Sequence, residues 1–371
     1  MRRYWRPIAV LFLAAAVAAV LVAVRRRAQP PRLAARQEAL ARVMGTKASL
    51  TAVAPEAQED VALVALAAAE AELRTVEVLM SAHLEGSQIS RFNEAPAGRA
   101  VHLSQPVLEV LEASRQIAAE SDGAFDVTCR PLLQLWKLRA GQGRLPDEEE
   151  IDEARGNVGW KWVKLHADGA EKLKDGVSVD LGGIAKGCGI DRALEAMQKA
   201  GCRGALVDVG GDIRCFGQRA GGGKWTVGIR DPFRPDSDRM FATLGLEGGA
   251  VCTSGNYFRY VEISGRRYSH IVDPRTGRPA DAAPSVTVVA PTATVADAWA
   301  TALSVLGPQG INLLPKSAGI EAMIVLGTGE DFSIFMTDGF AGLFIVPPKI
   351  PAGATKPATM PATTREAANG A

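Results

Sequence analysis

Val179-Asp180-Leu181-Gly182-Gly183-Ile184-Ala185-Lys186-Gly187 reads as the end of an apolar strand, then a carboxylate, a glycine pair and the opening of a helix. The pattern predicts a strand over Val177–Leu181 and a helix over Ala185–Ala200. Glycine backbone beside a helix N-terminus is where an anion is welcome, and Lys186 would face the same phosphates. A plain tight turn with a solvated lysine fits these residues equally well.

Downstream, short apolar runs alternate with Gly, Asp and Pro. They predict strands at Ala205–Val209, Lys224–Ile229, Tyr257–Ile263, Arg267–Val272, Ser285–Val289, Glu321–Leu326 and Phe332–Met336, several of them close enough to pair as antiparallel neighbours. A helix fits Ala293–Leu306. Upstream, Ala62–Leu84 has apolar residues at helical spacing, and Ser104, a good N-cap residue, opens a second helix ending near Glu120. Leu138–Glu153 reads as an exposed excursion with a short acidic helix. The mixed order and short connections predict an α+β class with mainly antiparallel sheets and flanking helices.

The chain has 371 residues, 47% of them hydrophobic, enough for a large core. Forty-two basic against 41 acidic residues leave a net charge of +1, which gives no support for nucleic-acid binding. Five scattered cysteines without C-x-x-C spacing form neither a zinc pattern nor a disulfide framework, and read as small buried hydrophobes. Residues 8–24 form an unbroken apolar run with arginines on both sides. We read residues 1–28 as one uncleaved transmembrane anchor, with a cleaved signal peptide as the alternative. Residues 29–43 follow as a linker, with Arg32–Val43 as a stub helix; 44–345 form the body, and 346–371 a disordered tail rich in Pro, Ala and Thr.

A second segment, Ala296-Asp297-Ala298-Trp299-Ala300-Thr301, places Asp297 and Thr301 one helical turn apart on one face. A carboxylate, a hydroxyl and a nearby carbonyl suit Mg²⁺. Taken alone, a helix-stabilising Asp and a Thr bonded to its own backbone is the better reading. His270, in the turn Tyr268-Ser269-His270-Ile271-Val272-Asp273-Pro274-Arg275-Thr276-Gly277, reads as a general base or as a loop tie. Thr253-Ser254-Gly255 has the look of a backbone-exposing loop.

Met44-Gly45-Thr46, Ser87 to Asn93, Gly123-Ala124-Phe125-Asp126-Val127-Thr128, the Asp180 segment, Gly210-Gly211-Asp212-Ile213, Ile229-Arg230-Asp231-Pro232, Thr253-Ser254-Gly255, the His270 turn and Ala296 to Thr301 occur in a fixed order. In that order the chain resembles ApbE-type FAD:protein FMN transferases over nearly all of its body. The resemblance implies an ApbE-like, T-fold-related architecture and transfer of FMN from FAD to a Thr or Ser hydroxyl of an acceptor protein, releasing AMP. It implies that Met44, Ala124, Phe125, Asp126, Asp180, Lys186 and Ile271 hold FAD, with His83 in place of the usual stacking aromatic. It further implies that the Gly183 carbonyl, Asp297 and Thr301 coordinate Mg²⁺, and that His270 and Asp180 serve catalysis.

Cys188 stands where an aromatic is common, and Ala300 where some members have an acidic residue, leaving one fewer metal ligand. The usual lipoprotein cysteine is absent. The implied partner is a flavin-accepting subunit of a membrane redox complex, with the body periplasmic and held at the inner membrane by residues 8–24. The same residues would serve a FAD pyrophosphatase. A membrane-tethered flavin-binding protein without turnover is the non-enzymatic alternative, against which the metal ligands weigh. Ala352-Gly353-Ala354-Thr355 is similar to the family's acceptor pattern and raises self-flavinylation at Thr355, though coincidence in such a tail accounts for it better.

Overall fold

A computed structural model of the chain describes residues 31–349, apart from 235, 256–259, 264, 281–282 and 330, together with residues 358–359. β1 (Leu33–Val43) turns at Met44-Gly45 into β2 (Thr46–Pro55). Both turn residues have positive φ, 50° and 74°, as a two-residue hairpin turn of this hand requires. The stub helix expected over Arg32–Val43 is thus a strand, and it belongs to the sheet rather than to a linker. Its Ala, Glu and Leu favour a helix locally, but pairing from Leu33 opposite Pro55 to Val43 opposite Thr46 satisfies the backbone and overrides propensity.

Helices α1 (Glu59–Met80), α2 (Gln88–Glu94), α3 (Gln105–Glu120), α4 (Arg130–Gly141) and α5 (Glu148–Arg155) follow, with β3 (Val101–His102) between α2 and α3. After β4 (Val163–His166) and β5 (Gly169–Lys172) comes α6 (Ala185–Lys199). A run of strands follows: β6 (Gly204–Val209), β7 (Asp212–Gly217), β8 (Trp225–Arg230), β9 (Met240–Leu246), β10 (Gly249–Gly255), β11 (Tyr260–Ile263), β12 (Arg266–Ser269) and β13 (Ser285–Ala290). The chain closes through α7 (Ala293–Leu306), β14 (Glu321–Thr328), β15 (Asp331–Met336), β16 (Phe344–Val346) and β17 (Ala358–Thr359).

The main sheet has the order β1-β2-β6-β7-β10-β13-β14-β15-β17, and three smaller sheets are β3-β5-β4, β11-β12 and β16-β9-β8. Every pairing is antiparallel except β15 with β17. Successive strand residues face opposite sides. Ala250, Cys252, Val286, Val288 and Ile324 therefore pack with Leu73, Ile190 and Trp299 of the helices. Their neighbours Val251, Val289, Met323 and Val325 pack with Trp225, Val227 and Leu244 of the small β8–β9 layer. A third cluster, Leu132, Trp136, Ile151 and Val272, joins α4 and α5 to the turn after β12.

Three further expectations change. Val177–Leu181 pairs with no strand. Its backbone is bridged by a side chain instead: Asn93 Nδ2 donates to the Val179 carbonyl at 2.9 Å and the Val179 N–H donates to Asn93 Oδ1 at 2.7 Å. Thr253-Ser254-Gly255 lies inside β10, registered on β13, and is no loop. In the tail, Ala358–Thr359 pairs parallel with Phe335–Met336; Thr355 lies outside the described residues. So does the 8–24 anchor, and among the described residues no helix is long and apolar enough to cross a membrane.

Candidate active site

The Asp180 segment reaches its place as a fixed strap. The Asp180 N–H donates to the Val127 carbonyl at 2.8 Å, and Lys172 Nζ ties the Val177 carbonyl at 3.1 Å and that of Asn93 at 2.6 Å. Burial pushes the Lys172 amine below its usual range. Asp180 Oδ1 accepts the Gly182 N–H at 2.8 Å, a local turn that releases the chain into α6.

At that release α6 meets α7. A Cβ on Gly187 would overlap the Ala293 carbonyl, so only glycine lets the two helix N-termini approach this closely. The Gly187 N–H, which helical geometry would aim at the Gly183 carbonyl, donates to Asp297 Oδ2 at 3.1 Å. No backbone donor among the described residues takes the Gly183 carbonyl. Asp191 of α6 fastens the start of α7, accepting the Ala293 N–H at 2.8 Å, the Thr294 N–H at 2.9 Å and the Thr294 hydroxyl at 2.6 Å.

Lys186 Nζ lies between two buried carboxylates. It donates to Asp212 Oδ2 and, at 3.1 Å, to Asp297 Oδ1. Burial opposes its charge, but Asp212 and Asp297 outweigh it and hold the pKa above that of an ordinary lysine. Burial pushes the Asp297 carboxyl up to about 6, with Lys186 pulling it down and Asp212 adding to the rise. Thr301 lies one turn along α7, close to Gly183 and Phe125: a Cβ on Gly183 would sit 3.1 Å from the Thr301 hydroxyl and 3.3 Å from the Phe125 ring. Unlike Ser304, whose hydroxyl donates to the Ala300 carbonyl at 2.8 Å, Thr301 makes no hydrogen bond to its own helix among the described residues.

The remaining predicted residues sit around this centre. Asp126 Oδ1 accepts the Thr128 N–H and hydroxyl at 2.8 and 2.7 Å, while burial raises its pKa. Met44, at the β1–β2 turn, covers α6: a Cβ on Gly189 would lie 2.8 Å from its sulfur. Ala124 is buried beside Gly123, against which the stem of Arg275 packs. Arg275 belongs to the His270 turn, which Trp136 ties down by donating to the Gly277 carbonyl at 2.8 Å. Ile271 is buried there and His270 exposed. His83 is exposed, in a loop that Arg130 holds through the Ala82 carbonyl at 3.3 Å.

The Gly183 carbonyl, the Asp297 carboxylate and the Thr301 hydroxyl form an all-oxygen donor set whose carbonyl and hydroxyl are not spent on described protein groups. That chemistry fits a hard cation such as Mg²⁺. Among the described residues no cluster of three His, Cys, Asp or Glu side chains offers a different cage.

The ApbE family model matches residues 44–324. The FAD:protein FMN transferase of Escherichia coli K12 is 31% identical over 283 residues, 74% of this chain and 80% of that protein. The ApbE protein of Thermotoga maritima superposes with a TM-score of 0.75 at 31% identity, covering 84% of this chain and 99% of that one. The apo flavinyl transferase ApbE of Pseudomonas stutzeri superposes with a TM-score of 0.71, also at 31% identity, covering 84% and 96%.

The chain belongs to the ApbE family. Within this ApbE fold, Gly183, Lys186, Asp297, Thr301 and Phe125 meet at the α6–α7 junction, while Asp126 and Asp180 lie on either side of Val127. Sequence reasoning gave no role to Asp212, Gly187, Asp191 or Asn93. Asp212 carried a signal, the Gly-Gly-Asp turn, but only pairing of β7 beside α6 reveals its partner. Nothing in the sequence marked Asn93 as a surrogate strand partner.

Proposed function

We propose that this chain transfers FMN from FAD to a threonine or serine hydroxyl of an acceptor protein, with release of AMP, and that it needs Mg²⁺ to do so. The observation that carries the reading is the meeting of Lys186, Asp297, Thr301 and Gly183 at one helix junction, in a chain about 31% identical to FAD:protein FMN transferases.

Gly183, Asp297 and Thr301 would hold the cation. When bound it supplies positive charge that neutralises the pyrophosphate. The protein's own groups position the substrate. Lys186 is held charged and keeps a donor free for a phosphate oxygen. Met44, Ala124, Phe125, Asp126, Asp180 and Ile271 would line the FAD site, with His83 at its adenine side. The acceptor oxygen bonds to the FMN-side phosphorus as the bond to the AMP oxygen breaks, and AMP leaves with that electron pair. His270, on its exposed turn, would take the hydroxyl proton. Such chemistry depends on positioning and charge neutralisation above all.

We further place the body in the periplasm, anchored through residues 8–24, with a flavin-accepting subunit of a membrane redox complex as partner; the apolar run supports the anchor, and the periplasmic side and the partner rest on the family resemblance, because arginines on both flanks leave the orientation undecided by charge. Mass spectrometry after incubation with FAD, Mg²⁺ and a Thr-containing acceptor peptide tests the activity. An FMN adduct on the peptide is expected. Free FMN and AMP with unmodified peptide would replace transfer by pyrophosphatase action, and unchanged FAD would contradict both.

A further inference from the structure

Asp212 opens β7 directly after the Gly210-Gly211 turn and is only 3% exposed. Its two oxygens have separate duties. Oδ2 accepts Lys186 Nζ, and Oδ1 accepts the Thr253 N–H of β10 at 3.0 Å. Thr253 is itself fixed, its hydroxyl 3.0 Å from that of Thr287 on β13. Asp212 is therefore anchored to the sheet, whereas Asp297 sits on α7 and Lys186 on α6. The ammonium bridges an immobile carboxylate and the one proposed to take a cation, with the closer contact to Asp212.

An ammonium has three protons to donate. If Asp297 were its sole partner, the ion pair would neutralise the carboxylate that a divalent cation needs, and cation and ammonium would compete for one site. A second, fixed carboxylate draws the ammonium aside, leaves Asp297 with charge to spare, and aims the third proton away from both.

We propose that Asp212 is a positioning residue: it holds Lys186 so that Asp297 stays available to a divalent cation. The inference rests on the reading of Asp297 as a cation ligand. It concerns how the chain loads its metal, and it is independent of FAD.

The test is Mn²⁺ binding followed by electron paramagnetic resonance on the full chain without FAD, with Asp297→Ala identifying the site by its loss. Asp212→Asn is expected to weaken Mn²⁺ binding about tenfold or more, because Lys186 then falls wholly to Asp297. Asp212→Glu, which keeps the charge, is expected to stay within about threefold of the parent, and Asp212→Asn/Lys186→Gln to regain most of the loss, as coupled neighbours do. Parent-like affinity in Asp212→Asn would overturn the proposal. So would a double variant as weak as the single one, since Asp212 would then act only as a remote negative charge. If Asp212→Asn does not fold, Lys186→Gln alone decides: it is expected to bind Mn²⁺ at least as tightly as the parent, and weaker binding would overturn the proposal. Absence of any Asp297-dependent Mn²⁺ binding in the parent would instead remove the metal reading itself, and this inference with it.

Discussion

Thr301 has a hydroxyl that its own helix leaves unbonded among the described residues, whereas Ser304 on the same helix bonds the Ala300 carbonyl. The account gives that oxygen a cation. Thr301→Val, close in shape, is expected to leave the melting temperature nearly unchanged while raising the Mg²⁺ needed for half-maximal transfer by about 10- to 100-fold; a parent-like Mg²⁺ curve would remove Thr301 from the ligand set. In the proposed reaction His270 takes the acceptor's proton. In His270→Asn the rate is expected to fall by about 10²–10⁴-fold, and the fall in rate toward acid pH, where the imidazole is protonated, is expected to vanish. An unchanged profile would exclude it as the base. At this scale the meeting of Lys186, Asp297 and Thr301 was legible through the ordered motifs of the family resemblance, since each segment taken alone fitted a tight turn or a plain helix start as well or better. Asp212 was not, since its meaning depends on β7 being laid beside α6.

Elements carry the second level of the site. α6 and α7 can present Lys186 and Asp297 to each other only because Gly187 lets the Ala293 carbonyl approach. Gly187→Ala is expected to cost about 1–3 kcal/mol of stability through overpacking and to lower transfer further than stability alone accounts for. Equal activity per folded molecule would show that the spacing of the helices is not critical. α5 offers a pH test. Glu150 completes a capping box with Asp147, and Arg144 first, then the Asp147 N–H and Arg139, hold its carboxyl down to about 2 from 4.5. Its folded pKa is below the unfolded one, so its contribution is present above about pH 4.5 and is lost as pH falls toward 2. Amide protection factors in α5, taken relative to intrinsic exchange at each pH, should fall across that interval and stay level between pH 5 and 8. The sequence placed α7 at its observed bounds, because Thr292 caps it and Gly307 ends it. β1 was misread because a strand rich in Ala and Leu has helical composition, and Val177–Leu181 because a side chain does the work of a neighbouring strand.

Over the whole molecule, the main sheet packs on both faces, and two of the cysteines, Cys215 and Cys252, lie in its strands. All five are free thiols, four of them buried. Burial raises Cys188 and Cys215 to about 12 and Cys252 well beyond its ordinary value. Thiolate is the reactive form, so iodoacetamide at pH 8 should leave these three unmodified in the native protein and label all five after denaturation. Rapid native labelling at Cys252 would contradict the packing between β10 and α7. The fold class and the ordered motifs were legible along the chain, while the architecture of a nine-stranded sheet was not, because pairing β2 with β6 and β10 with β7 joins segments that no local pattern connects. The central claim is that the α6–α7 junction is a cation-dependent flavin-transfer site. Its most direct test is intact-mass measurement of an acceptor peptide after incubation with FAD, comparing parent and Asp297→Ala across a Mg²⁺ titration. The account predicts an FMN adduct that rises with Mg²⁺ in the parent, disappears with a chelator and is absent from a folded Asp297→Ala; full flavinylation by that variant, or by the parent without divalent cation, would contradict it.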